Sequence, residues 1–297
     1  MARIRSAEGT NLDAFSPADW ARFLGLSLVW GSSFILIAFG LEAFPPGPVT
    51  WLRIGLGAAT LVVVPRARRP VGREAWARLG VLSFTWVAIP FTLFPLAQQH
   101  IDSALAGMLN GATPIAAGLV AWWMLGRRPG RLQLVGLALG IVGIVMMGVP
   151  SLDGSSEALG VVLVVTAALF YGLSINLAVP LVQEFGSLPV MSRLLLLATV
   201  WTTPFGLVGW GSASFAWVPA VAVGILGVVC TGIAFALMAS LTGSVGSTRA
   251  SFITYVIPVV ALVLGVGVRG DTVAPLAVAG VVAVIAGSLL ASRADRS

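Results

Sequence analysis

Ten apolar runs cover most of the chain: 21–41, 48–65, 76–97, 103–125, 132–149, 158–180, 188–208, 217–241, 247–268 and 273–291. Charged residues or Gly/Pro breaks separate them. Most approach the 17–25 residues that cross a hydrocarbon core about 30 Å thick. Several uncharged runs of about 20 residues have no use in a soluble core. The pattern predicts an all-α integral membrane protein of ten transmembrane helices. Connections are short. The longest are Arg66–Arg78 and the polar Pro150–Glu157, which falls at mid-chain and reads as a linker. It separates 21–149 from 158–292, with 1–20 and 293–297 as end segments. Each half holds five runs, an odd number, so the second half crosses the membrane upside down relative to the first. Inverted halves of this kind are a transporter signature. Ahead of the first run, Ser16-Pro17-Ala18-Asp19 reads as a helix start, with Ser16 as cap and Pro17 in the first turn.

Composition strengthens the membrane reading. The chain is 58% hydrophobic and 9% charged, whereas a soluble domain carries roughly 25% charged residues. All 17 basic residues are Arg, which excludes a lysine-dependent phosphate loop and hence an ATP-driven pump within this chain. One Cys (Cys230) and one His (His100) build neither a disulfide framework nor a Cys/His metal site. No cofactor is expected. Glu8, Asp13 and Asp19 precede the first run without a small-residue cleavage site, unlike a secretory signal. The arginines cluster beside apolar runs, which suits topology signals better than a nucleic-acid patch. With the N-terminus inside, Arg3, Arg5, Arg22, Arg66, Arg68, Arg69, Arg73, Arg78, Arg127, Arg128, Arg131, Arg293 and Arg296 fall inside and only Arg269 outside. The expectation is a multi-pass protein of the inner (plasma) membrane with both termini cytoplasmic.

A repeat is visible within the chain. At an offset of 144 positions, Gly80 meets Gly224, Phe91 meets Phe235, Ser103 meets Ser247, Pro114 meets Pro258, Gly136 meets Gly280 and Gly143 meets Gly287. At 141, Gly31 meets Gly172, Ser33 meets Ser174 and Pro48 meets Pro189. The prolines and glycines carry most weight because they mark backbone geometry.

The chain resembles the drug/metabolite transporter superfamily, specifically its EamA-type members, over nearly its whole length. The matching pieces are Trp30-Gly31-Ser32-Ser33-Phe34, Trp51-Leu52-Arg53, Thr113-Pro114 and Ile257-Pro258, with Gly136/Gly143 and Gly280/Gly287 at one spacing. The resemblance implies ten helices, cytoplasmic termini, and a central cavity lined by spans 1, 3, 4, 6, 8 and 9. It also implies transport, usually export, of amino acids or other small metabolites. One departure is that Gly126 is followed by Arg127 and Gly270 by Asp271, where the family commonly has Gly-Glu.

Pro114 and Pro258 lie about ten residues into their runs, hence about 15 Å deep. Each frees the carbonyl four residues back, at Asn110 and Thr254. A freed carbonyl at that depth must face protein or a wet cavity. Spans 4 and 9 are therefore expected to turn hinge-like breaks toward a central site. Packing kinks are the competing reading. Trp30, Ser33, Trp86, Thr113, Tyr171, Ser174, Asn176, Thr231 and Tyr255 reach similar depth. A cavity lining and plain packing both fit them. Small residues Ser103, Gly107 and Gly111, with Ser247 and Ser251, suit helix packing. Arg53 and Arg193 lie near span ends, where they are expected to snorkel to the interface. No Asp or Glu sits mid-span. His100 and Asp102 can pair at one mouth, or belong to a solvated loop.

These features favour a secondary transporter with alternating access. Its substrate is expected to be small and neutral or zwitterionic, and its other partner the lipid bilayer. An intramembrane enzyme lacks the acid, His, Cys or metal constellation it needs. A membrane scaffold or receptor without transport is the alternative.

Overall fold

The computed structural model describes residues 15–125, 129–151 and 155–292. Among these the regular structure is helical throughout. We number the rods α1 (Pro17–Leu41), α2 (Pro46–Val62), α3 (Arg73–Ala97), α4 (in two pieces, Ser103–Asn110 and Thr113–Leu125), α5 (Arg131–Gly148), α6 (Ser155–Phe185), α7 (Ser187–Leu207), α8 (Trp217–Val245), α9 (Ile253–Arg269, preceded by the turn Ser247–Ala250) and α10 (Pro275–Ala291). Seven of them are long and apolar enough to cross a membrane; α2, α9 and α10 are shorter. Large apolar side chains cover the outside, with Trp217 75% and Trp123 81% exposed. Water would not tolerate so much contiguous apolar surface.

Local sequence explains most helix ends. Ser16 Oγ accepts from Asp19 N–H at 3.2 Å, and the Asp19 carboxylate accepts from Ser16 N–H at 3.2 Å. This is the expected cap. Asp19 also accepts from Ser244 Oγ at 2.7 Å, which ties the start of α1 to the end of α8. α6 differs from expectation at both ends. It begins at Ser155, inside the stretch read as a linker, and continues through Pro180 to Phe185. A proline inside a helix removes one backbone bond, and α6 runs on through Pro180 without ending there. The helix stops at Gly186, whose φ of +83° takes the chain into a conformation that favours glycine.

The packing is reciprocal between the two halves. α1 lies against α8 and α9, while α6 lies against α3 and α4; α2 pairs with α7, and α5 with α10. The matched glycines make the last crossing possible. A Cβ on Gly136 would sit 2.4 Å from Ala291 N, one on Gly143 2.6 Å from the Gly280 carbonyl, and one on Gly287 2.5 Å from Gly140 N. Gly31 and Gly172 do the same for α1 on α9 and α6 on α4.

Wide, π-type turns interrupt α3 at Ser83–Ala88 and α8 at Val228–Ile233. These are nearly equivalent places of the repeat: at an offset of 144, Trp86 falls on Cys230. Such turns rotate the residues after them and recur at functional sites. Two buried clusters fill the bundle, and Tyr171 packs against both.

Candidate functional site

The centre of the molecule forms around the π-turn of α8. There the Thr231 hydroxyl, fully buried, donates to the Leu226 carbonyl five residues back at 2.9 Å. It also accepts from Arg53 Nε at 3.3 Å. The Arg53 guanidinium lies over the Phe91 ring, 3.9 Å from its centroid. Close approach of α2 to α8 seats this group. A Cβ on Gly57 would fall 2.5 Å from Thr231 Cγ2, and one on Gly232 2.4 Å from Thr60 Cβ. On the other side, Trp30 Nε1 donates to the Cys230 carbonyl at 3.1 Å, and its ring meets Phe235 edge-on at 5.9 Å.

Arg53 departs from expectation. It is 7% exposed and turned inward rather than snorkelling to an interface. α2 begins at Pro46, not at 48, so Arg53 lies about 10 Å along the helix at 1.5 Å per residue. Its side chain points to α3 and α8. Arg193 lies about 9 Å along α7 by the same count, but its side chain turns to the connection after α2. It donates to the carbonyls of Ala67, Arg68 and Arg69 in the Arg-rich connection after α2.

The other expected residues divide into groups. Tyr171, the counterpart of Trp30, stacks on Phe94 at 6.0 Å, and Phe94 meets Phe34 at 5.4 Å. Ser174 donates to Thr85 Oγ1 in the α3 π-turn at 2.9 Å, whereas Ser33 donates to the Trp30 carbonyl of its own helix at 2.5 Å. Trp86 packs against the second cluster. Thr113 Oγ1 donates to Asn110 Oδ1 at 3.5 Å across the break in α4, and Pro114 is the second residue of the following piece. Asn176 Nδ2 donates to the Ala117 carbonyl at 3.1 Å, tying α6 to α4. In α9 the irregular turn comes at Ser251-Phe252, and Pro258 lies inside a continuous helix. Thr254 Oγ1 donates to the Ser251 carbonyl at 2.7 Å, and Tyr255 Oη to the Ser288 carbonyl of α10 at 3.4 Å. Tyr255 is thus tied to α10 and Thr254 to its own turn. Gly111 and Pro258 bring the two broken helices together: a Cβ on Gly111 would meet Pro258 Cγ at 2.8 Å.

A second polar network closes the end of the bundle where α1 stops. Arg269 Nη1 lies 2.7 Å from Glu42 Oε1, and its Nε lies 3.9 Å from Asp271 Oδ1. Gly270, at φ +76°, turns the chain so that Asp271 Oδ2 accepts from Ser103 Oγ at 2.6 Å and from Ala104 N–H at 2.8 Å. Asp271 thus caps α4 from the other half of the chain. The departure flagged at Gly270-Asp271 is a structural joint; Gly126-Arg127 lies outside the described residues. Burial, followed by the nearby Asp271 charge, pushes the Asp102 carboxyl up. His100 does not pair with Asp102; its Nδ1 lies 2.7 Å from Ser156 Oγ. Recesses of about 620 and 360 Å³ open here. Glu42, Asp102 and Arg269 line both.

Sequence reasoning passed over the inward aim of Arg53, the Phe91 platform and the Asp271 cap. The Arg53 position had one usable signal: counting from Pro46 puts it mid-helix. The Asp271 contact spans 168 positions and leaves no local trace.

YvbV of Bacillus subtilis strain 168, described as an uncharacterized transporter, is 21% identical over 251 residues, covering 80% of this chain and 79% of that protein. YedA of Escherichia coli K12, described as an uncharacterized inner membrane transporter, is 23% identical over 265 residues, covering 84% and 83%. A Salmonella typhimurium LT2 protein described as a probable amino-acid metabolite efflux pump is 24% identical over 272 residues, covering 88% and 90%. A solved crystal structure superposes with a TM-score of 0.65 at 18% identity, over 93% of this chain and 97% of that one. The EamA-like transporter family model matches twice, over residues 21–149 and 158–293. This multi-pass membrane chain belongs to the EamA-like transporter family.

Proposed function

We propose that the chain is a secondary transporter that exports a small neutral or zwitterionic metabolite, such as an amino acid, by alternating access. In this reading all ten rods cross the inner membrane, as inverted halves at 21–149 and 158–292 joined by 150–157. Segments 1–20 and 293–297 are cytoplasmic. The observation that carries the reading is the reciprocal packing of α1 on α8 and α9 and of α6 on α3 and α4, with π-turns in α3 and α8. Two such halves can rock about a fixed centre. The Salmonella relative described as an amino-acid metabolite efflux pump points to the same substrate class.

Trp30, Tyr171 and Thr231 line the substrate centre, with Ser33, Trp86, Asn110, Thr113 and Asn176 around it. Thr254 and Tyr255 meet the substrate on the cytoplasmic path. Pro114 and Pro258 sit at the contact of the broken helices and act as hinges. The Glu42–Arg269–Asp271 network holds the external mouth shut in this conformation. Reconstitution into liposomes tests the reading. Preloaded L-leucine, L-phenylalanine or L-threonine should exchange saturably, and glucose 6-phosphate should not. Movement of none of the amino acids, or strong saturable transport of the sugar phosphate, would overturn it. Labelling of cysteines placed at Ser155 and Arg69 should come from opposite sides; labelling from one side would sink the topology.

A further inference from the structure

We infer that Arg53 is the counter-charge for a carboxylate on the substrate, so that the site selects compounds bearing a carboxylate beside an apolar or aromatic body. The inference rests on the transporter reading and deepens it.

Arg53 is the only guanidinium among the described residues that is buried, and it sits midway along the 17-residue α2. No carboxylate pairs with it among those residues, whereas Arg22 and Arg269 each hold at least one. Its one hydrogen bond is from Nε to the Thr231 hydroxyl, a neutral group. An arginine side chain carries five N–H donors in a planar fork that matches a carboxylate. Nε is engaged by Thr231, which leaves the fork formed by Nη1 and Nη2 for a ligand. A cation buried without a counter-charge is costly, and intramembrane ionisable residues mark substrate paths by default. The Phe91 face offsets part of that cost. It does not replace a counter-ion, because a ring face offers no pair of anionic oxygens to match the fork.

The surroundings suit the rest of such a molecule. Tyr171 packs against the buried cluster that holds Phe91, and Trp30 holds the adjoining Cys230 carbonyl. Phe91, Trp30 and Tyr171 bring aromatic surface from α3, α1 and α6, so both halves of the chain contribute. The close approach of α2 at Gly57 and Gly227 fixes the position of the guanidinium. An amine-only compound would face Arg53 with like charge, and an amide would lack the second anionic oxygen.

The test uses purified full-length protein and equilibrium binding of tritiated L-leucine, competed by L-leucinamide, L-leucine, L-phenylalaninamide, L-phenylalanine and phenethylamine. Wild type should prefer each acid over its amide by about tenfold or more, the scale of a lost charge-assisted pair. Arg53→Gln should lower acid affinity by at least about tenfold while amide affinity moves less than about threefold, which removes the preference. Arg53→Lys should recover part of it, because a point charge replaces the fork. If Arg53→Gln does not fold, Arg53→Lys and the wild-type acid-to-amide ratio decide. Wild-type binding of acid and amide alike would overturn the carboxylate assignment and leave the transporter reading standing. Retention of the acid preference in Arg53→Gln would do the same. Failure of wild type to bind any compound of the panel would overturn both.

Discussion

Arg53 and Arg269 each lie over a phenylalanine, at 3.9 Å from the Phe91 centroid and 5.5 Å from that of Phe39. Their companions differ. Arg269 at the mouth has two acids, Glu42 and Asp271, and is 31% exposed. Arg53 at the centre has a hydroxyl and no acid among the described residues. The first cation is satisfied by the protein itself and joins helices; the second is satisfied only in part, and under the proposal above it recognises the substrate. The same residue type thus does two jobs, set by whether the fold places a carboxylate beside it.

The largest effect that separates the two regions comes from the helix seat under Arg53. Gly57→Leu would drive a side chain into Thr231, where a Cβ alone already falls at 2.5 Å. Overpacking of this kind costs about 1–3 kcal/mol or more. Detergent-solubilised Gly57→Leu should unfold at clearly lower temperature and lose transport, whereas Gly267→Leu, at an open position, should do neither. Next comes the cap at the mouth. Asp271→Ala leaves Ser103 and the α4 amide without their acceptor, a loss of about 0.5–2 kcal/mol. Thermal unfolding should report it, with substrate affinity unchanged.

Glu42→Gln is smaller still in stability. Glu42 is 47% exposed, and exposed ion pairs contribute about 0–1 kcal/mol. Its signature is opening: a cysteine placed at Phe39 should label faster from the external side than in the parent. The smallest effect is on pH dependence. Asp102 has its folded pKa raised above 3.8, so the fold binds more protons than the unfolded chain in the window just above that value. Stability should fall as pH rises through the window, and Asp102→Asn should flatten that slope in a pH series of unfolding temperatures.

Much of the bundle is legible in the sequence because hydropathy and glycine spacing act locally. The cap at Ser16 and the α5–α10 glycines follow from such patterns. The site is legible in part. Depth along a run offers Trp30, Tyr171, Thr231, Thr254 and Tyr255 alike, yet depth says nothing of direction: Tyr255 bonds to α10, and the break in α9 comes earlier than its repeat counterpart in α4. Arg53 reads as an interface anchor for the same reason: hydropathy gives no azimuth around a helix, and only the approach of α3 and α8 turns it inward. Pairing across the fold, as between Asp271 and Ser103, has no sequence signal in one chain.

The most direct test compares the two arginines in one assay. Binding of tritiated L-leucine is measured for wild type, Arg53→Gln and Arg269→Gln at one pH and ionic strength. The account predicts a loss of at least about tenfold in Arg53→Gln and a change within about twofold in Arg269→Gln. Equal losses in the two variants, or a larger loss in Arg269→Gln, would contradict it.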